Sequence, residues 1–198
     1  MSIIVLGNGP SVLDNEYGEI IDSFDNVVRI NQYHPEMVKY AGMKTTIFVT
    51  CDYLTKYYKA IGNSANQIIV WKDCDNKTPY DDHEQTVIIQ KNPPNGGKYI
   101  DQEIVTSQLV NDFGFARFHK GAWPSTGINI LMYLIQTNEY DQIYIHGFDG
   151  LKFGEKNHYF ENVVRTTKEH SSEKEIAFVN HYIEKGKIIR LEDSDCVP

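Results

Sequence analysis

Short β-rich runs alternate with helical patterns along this chain, and that alternation limits its fold more than any other feature. Strands are predicted over Ser2–Leu6, Val27–Asn31, Thr45–Thr50, Gln67–Trp71, Thr86–Gln90, Gln142–His146 and Lys187–Leu191. Between them, helices are predicted over Val12–Ser23, Asp52–Ile61, Asp101–Phe113, Ser125–Gln136 and Glu173–Lys185. In the fourth of these, Ile128, Leu131, Met132 and Ile135 form one apolar stripe. The expected architecture is α/β: a single Rossmann-like domain with a mostly parallel central sheet and helices on both faces. At 198 residues, one domain spanning 1–198 is the natural reading, with a polar insertion or lid at roughly 73–101 around Pro93-Pro94-Asn95-Gly96-Gly97. In such sheets, ligands bind beyond the carboxyl ends of the strands.

Two turns lie where that rule looks for a ligand. Ile3-Ile4-Val5-Leu6 runs into Gly7-Asn8-Gly9-Pro10-Ser11, and Trp123-Pro124-Ser125-Thr126-Gly127 opens the apolar helix. Each has two readings. One is a plain strand-to-helix turn with an N-cap serine, Ser11 or Ser125. The other is an anion site, where backbone N–H groups, hydroxyls and the helix dipole meet a phosphate. The first turn lacks the third glycine of the dinucleotide fingerprint, which weighs against a nicotinamide or flavin oxidoreductase.

Downstream stand His158-Tyr159-Phe160-Glu161 and His170. A histidine has the pKa to take a proton from an attacking hydroxyl or to neutralise a leaving phosphate. Two of them with opposite roles need environments that hold opposite protonation states. His170 also precedes Ser172-Glu173-Lys174-Glu175, which fits a capping box with Ser172 as N-cap and Glu175 at N3. Trp123 is suited equally to stacking on a base or sugar and to core packing.

Composition narrows the partners. The formal net charge of −8 disfavours a broad nucleic-acid footprint. The three cysteines, Cys51, Cys74 and Cys196, show no metal-ligand spacing. Asp73-Cys74-Asp75 and Asp193-Ser194-Asp195 read as solvated turns rather than a divalent-ion site. With no secretory signal and no apolar run of membrane-spanning length, a cytoplasmic location is expected.

The ordered motifs resemble the sialyltransferases of glycosyltransferase family 29. Ile3 to Val49 is similar to the large sialylmotif, through Gly7-Asn8-Gly9-Pro10-Ser11, Asp22-Ser23-Phe24-Asp25, Arg29-Ile30-Asn31-Gln32 and Gly42-Met43-Lys44-Thr45-Thr46. Gly121 to Asp149 is similar to the small motif, His158-Tyr159-Phe160-Glu161 to the third, and His170 to Glu175 to the very small one. The resemblance implies a GT-A-like variant fold and a metal-independent, inverting transfer of sialic acid, or a related 2-keto sugar acid, from a CMP-sugar. It implies no metal or organic cofactor, and a glycan or small-molecule acceptor. It implies that Asn8, Gly9, Ser11 and Asn31 contact the nucleotide. Ser125, Thr126 and Gly127 would hold its ribose and phosphate, His158 and Tyr159 would touch the leaving phosphate, and His170 would be the base. The chain departs from the family in lacking the cysteine pair of the large and small motifs, in its missing anchor and stem, and in its short middle region. These departures fit a short bacterial or viral version. Hydrolysis of the CMP-sugar and non-catalytic nucleotide binding are the competing functions.

Overall fold

A computed structural model describes residues 1–31, 35–51, 67–72, 98–116, 121–150, 152, 154–165 and 169–196. Its strands are β1 (Ile3–Leu6), β2 (Asn26–Ile30), β3 (Ile47–Cys51), β4 (Gln67–Lys72), β5 (Lys98–Asp101), β6 (Ile143–His146) and β7 (Ile188–Arg190). They form one seven-stranded sheet in the order β5-β4-β3-β2-β1-β6-β7. All six strand pairings are parallel, so the sheet is parallel throughout rather than mostly so.

Side-chain alternation along β1 explains why both faces are covered. Ile3 and Val5 join one apolar cluster, with Leu109, Ile128, Leu131 and Phe178. Ile4 and Leu6 join the other, with Val12, Ile21, Phe24 and Tyr159. Successive residues of a strand point to opposite faces, so a strand apolar at every position suits only a sheet clothed on both sides. The first cluster is supplied by helices α3 (Gln102–Phe113), α4 (Thr126–Thr137) and α5 (Ser172–Glu184). The second lies under α1 (Gly18–Ser23), α2 (Val38–Ala41) and the 3-10 turn Pro10–Leu13.

The structure corrects several local expectations. The helix predicted over Val12–Ser23 is a 3-10 turn at Pro10–Leu13 followed by α1, with Gly9 rather than Ser11 at the cap position of that turn. Residues Lys98–Asp101, assigned to the insertion at 73–101, form β5. The rest of that stretch, the helix at 52–61 and the strand at 86–90 lie outside the described residues. The N-cap of α5 is Ser171, whose side chain accepts from the Lys174 N–H, so Glu175 sits one residue beyond the capping-box position. Ser125 caps α4 as expected, accepting from the Ile128 N–H.

Among the described residues, no helix is long and apolar enough to cross a membrane.

The strand order reverses direction between β1 and β6, which places the carboxyl ends of those two strands at a topological switch point. There the turn Gly7-Asn8-Gly9 meets Gly147-Phe148-Asp149 backbone to backbone. Gly7 N–H donates to His146 O at 2.8 Å and Gly9 N–H to Gly147 O at 2.9 Å. A Cβ built on Gly7 would stand 2.2 Å from the Gly147 carbonyl oxygen, a backbone atom with no rotamer to escape into. Gly7→Ala is therefore expected to cost about 1–3 kcal/mol, read as a lower urea midpoint at unchanged m-value. An unchanged midpoint would show that the two turns are not packed this closely.

Candidate active site

The site is assembled around the carboxyl ends of β1, β2 and β6. Asn8 Nδ2 donates to Ile30 O at the end of β2, at 3.0 Å. Asn31, the next residue, takes a left-handed conformation at φ 54°, and its N–H donates to Val49 O at 2.8 Å. Asparagine tolerates that conformation better than most residues. Asn8 and Asn31 are thus adjacent and half-buried.

The two glycine-bearing turns do something the sequence did not disclose. Each holds a carboxylate of the chain itself. Ser11 N–H donates to Asp149 Oδ2 at 2.9 Å. Gly9 lies under the same carboxylate, where a Cβ would meet Asp149 Oδ2 at 2.2 Å. At the start of α4, Ser125 N–H donates to Glu175 Oε1 at 3.0 Å. With the Gly7 and Gly9 amides also committed, the first turn is a structural clasp. At the second turn, the N–H groups of Thr126 and Gly127 remain the open donors of the helix terminus among the described residues. Gly127 is buried against Phe148, where a Cβ would sit 2.9 Å from the ring.

Tyr159 is bonded to the first turn, its N–H donating to Asn8 O at 2.9 Å. Its ring is 1% exposed and belongs to the apolar cluster beneath β1. This burial revises the expectation that Tyr159 touches the leaving phosphate: the ring packs with Ile4, Leu6 and Val12, and the backbone bond to Asn8 fixes the position of its neighbour. That neighbour, His158, is half-buried and stacks on Phe160 with centroids 5.1 Å apart. Its Nδ1 lies on the Glu161 carboxylate, which also accepts from Asn157 Nδ2 at 3.1 Å. A carboxylate can only accept, so His158 carries a hydrogen on Nδ1 and turns Nε2 to other partners.

His170 is tied to the start of α4 from the other side. Its Nδ1 donates to Trp123 O at 2.9 Å, while Trp123 N–H donates to Glu169 O at 3.0 Å. The Trp123 ring meets the imidazole edge-on at 5.7 Å, so Trp123 serves as a mount for the histidine. With Nδ1 donating to a carbonyl, Nε2 of a neutral ring keeps its lone pair. Burial pushes the His170 pKa below its usual value, and the nearby Arg165 charge adds to this. The Trp123 hydrogen bond and Glu169 oppose it.

Glu175 sits where the local capping-box pattern did not place it. It is 4% exposed, and burial raises its pKa to about 7 against the bond from Ser125 and the Arg165 charge. The capping-box pattern gave it a local partner, but it faces inward and fixes the N-cap of another helix. One helix end, α5, thereby carries His170 before it and holds Ser125 through Glu175.

Asn8, Gly9, Asn31 and the His158 loop therefore gather at one end of the sheet, and Ser125, Thr126, Gly127 and His170 gather at the start of α4. The contacts of Gly127 with Phe148 and of Gly9 with Asp149 join the two groups. Among the described residues, no group of three His, Cys, Asp or Glu side chains is placed to hold a metal ion. Asp73-Cys74-Asp75 lies outside them.

The chain has the fold of the sialyltransferases, a Rossmann-like glycosyltransferase architecture. A mammalian sialyltransferase in complex with Gal-β-1-3GalNAc-ortho-nitrophenol superposes at TM-score 0.67 and 20% identity, over 98% of this chain and 70% of that one. The sialyltransferase CstII from Campylobacter jejuni, in complex with cytidine-5'-monophosphate, gives 0.60 and 20% over 96% and 79%. The monofunctional α-2,3-sialyltransferase Cst-I of the same organism gives 0.65 and 19% over 99% and 77%. No protein-family model matches the chain, and no curated protein matches it in sequence.

Proposed function

We propose that this protein is a metal-independent inverting glycosyltransferase that moves sialic acid, or a related 2-keto sugar acid, from a CMP-sugar to a sugar hydroxyl. The observation that carries this reading is His170. It is a buried imidazole whose Nδ1–H is spent on Trp123 O, which leaves Nε2 as a proton acceptor beside a helix N-terminus. The sialyltransferase fold and the CMP complex of a structural neighbour supply the donor class.

In this mechanism Nε2 of His170 takes the acceptor's hydroxyl proton as its oxygen bonds to the anomeric carbon. The bond from that carbon to the phosphate oxygen breaks, and its electron pair leaves with CMP. Departure adds roughly one negative charge to the phosphate. Donors aimed at developing charge are often the largest contribution to catalysis. Here they are the Thr126 and Gly127 N–H groups and the dipole of α4, and His158 contacts the leaving phosphate. Asn8 and Asn31 orient the nucleotide. Ser11 and Gly9 contribute by building the wall that Asp149 completes. The reading leaves the protein in the cytoplasm, with a nucleotide-sugar and a glycan or small-molecule acceptor as partners.

CMP should raise the melting temperature in the presence of EDTA, because a ligand bound at about 100 times its Kd adds about 2.7 kcal/mol to stability. Stabilisation by UDP-sugars with Mn²⁺ instead would overturn the donor assignment. With CMP-sialic acid, CMP release should accelerate on adding a sugar acceptor. Release that no acceptor accelerates would make the protein a CMP-sugar hydrolase.

A further inference from the structure

Arg165 lies between the two histidines and is used by neither. It is 8% exposed, in a segment closed by the Lys156–Val164 bridge and by the bonds of Arg165 N–H to Glu155 O and Gly154 N–H to Arg165 O. Nη1 donates to Asn157 Oδ1 at 3.2 Å, and Asn157 in turn donates to the Glu161 carboxylate that holds His158. Toward the other histidine, the Arg165 charge acts through space on both His170 and Glu175. Its Nη2 is buried and has no hydrogen-bond partner among the described residues.

A buried guanidinium with an unfilled fork is costly, because a desolvated charge needs a counter-charge and its N–H groups need acceptors. Glu175 does not fill that role. Its carboxyl is engaged by Ser125, and with a pKa of about 7 it is only partly ionised at neutral pH. The fork geometry of arginine matches carboxylate and phosphate oxygens. Resting on the functional reading above, we propose that Arg165 is an anion ligand of the donor site, with Nη2 taking a negatively charged oxygen of the CMP-linked sugar acid. That oxygen belongs either to the phosphate or to the sugar's carboxylate. In both cases Arg165 places a fixed positive charge between the leaving group and the base, and it favours neutral His170 while the donor is bound.

Calorimetric titration of the full chain and of Arg165→Gln with cytidine, CMP and CMP-sialic acid separates the sources. A charge-assisted bond lost on substitution weakens binding about tenfold to a hundredfold. If the carboxylate is the ligand, only CMP-sialic acid binding weakens. If it is the phosphate, CMP and CMP-sialic acid weaken together while cytidine is unchanged. Equal loss for all three ligands, or no loss for any, overturns the proposal. Should Arg165→Gln not fold, guanidinium nitrogen resonances of the wild-type protein decide: they should shift with CMP or CMP-sialic acid and not with cytidine, and the absence of any shift overturns the proposal. Wild-type protein that binds neither CMP nor CMP-sialic acid would instead defeat the functional reading itself.

Discussion

Replacing His170 by Asn is expected to lower kcat by about 10²- to 10⁴-fold while leaving CMP affinity within about twofold, because in the proposed mechanism the residue acts on the acceptor proton and not on the nucleotide. Asn can still donate to Trp123 O, so the mount of the residue survives and only the basic nitrogen is lost. The pH profile gives a second reading of the same group. A base works only when neutral, so kcat/KM should rise with pH through the pKa of free His170. Burial and then Arg165 lower that pKa, so this acid limb should fall below the ordinary histidine value of 6.5. Full activity in His170→Asn, or an acid limb unchanged by it, would remove His170 from the role of base.

The second large effect concerns Glu175 and folding. Its carboxyl has an ordinary pKa of 4.5 and is raised to about 7 in the fold, chiefly by burial. Between those values the folded chain keeps a proton that the unfolded chain has released. The stability from this group is present below 4.5, is lost as pH rises, and is gone above about 7. At 1.36 kcal/mol per pH unit the wild type should lose up to about 3 kcal/mol across that window. His170, with its lowered pKa, acts in the opposite sense: below 6.5 the unfolded chain gains a proton that the folded ring resists. The difference between wild type and Glu175→Gln cancels that contribution. Gln keeps an acceptor for the Ser125 N–H but has no proton to lose. Urea titrations across the window should show the variant gaining on the wild type as pH rises. Parallel curves would mean that Glu175 is not the buried acid.

The strands and the long helices were legible because period-2 and period-3.6 patterns are local. β1, β6 and α4 fall within a residue or two of their expected bounds. β5 was missed because Lys98-Tyr99-Ile100-Asp101 is short, half polar and preceded by Pro93-Pro94-Asn95-Gly96-Gly97. The break after Leu13 was missed because Asp14-Asn15-Glu16-Tyr17 does not contradict a helix locally. For the candidate site, the order of motifs singled out Asn8, Asn31, Ser125 and both histidines as candidates. What the turns hold was not legible. The partners of the Ser11 and Ser125 amides, Asp149 and Glu175, lie 138 and 50 residues away. Ser172-Glu173-Lys174-Glu175 even offered a local explanation that proved one residue out of register. Arg165 had no motif to announce it, since its distinction is a buried nitrogen without an acceptor among the described residues.

The seat of β1 between β2 and β6 also has a consequence for biosynthesis. β1 cannot complete its hydrogen-bonded neighbours until residues 144–146 have been made, because Ile4 pairs with Tyr144, Val5 with Ile145 and Leu6 with His146. Until then Ile3-Ile4-Val5-Leu6 presents a greasy, unprotected edge, the kind that recruits other chains. Closure over so long a span is slow, so β2 is the one sheet neighbour of β1 until β6 docks.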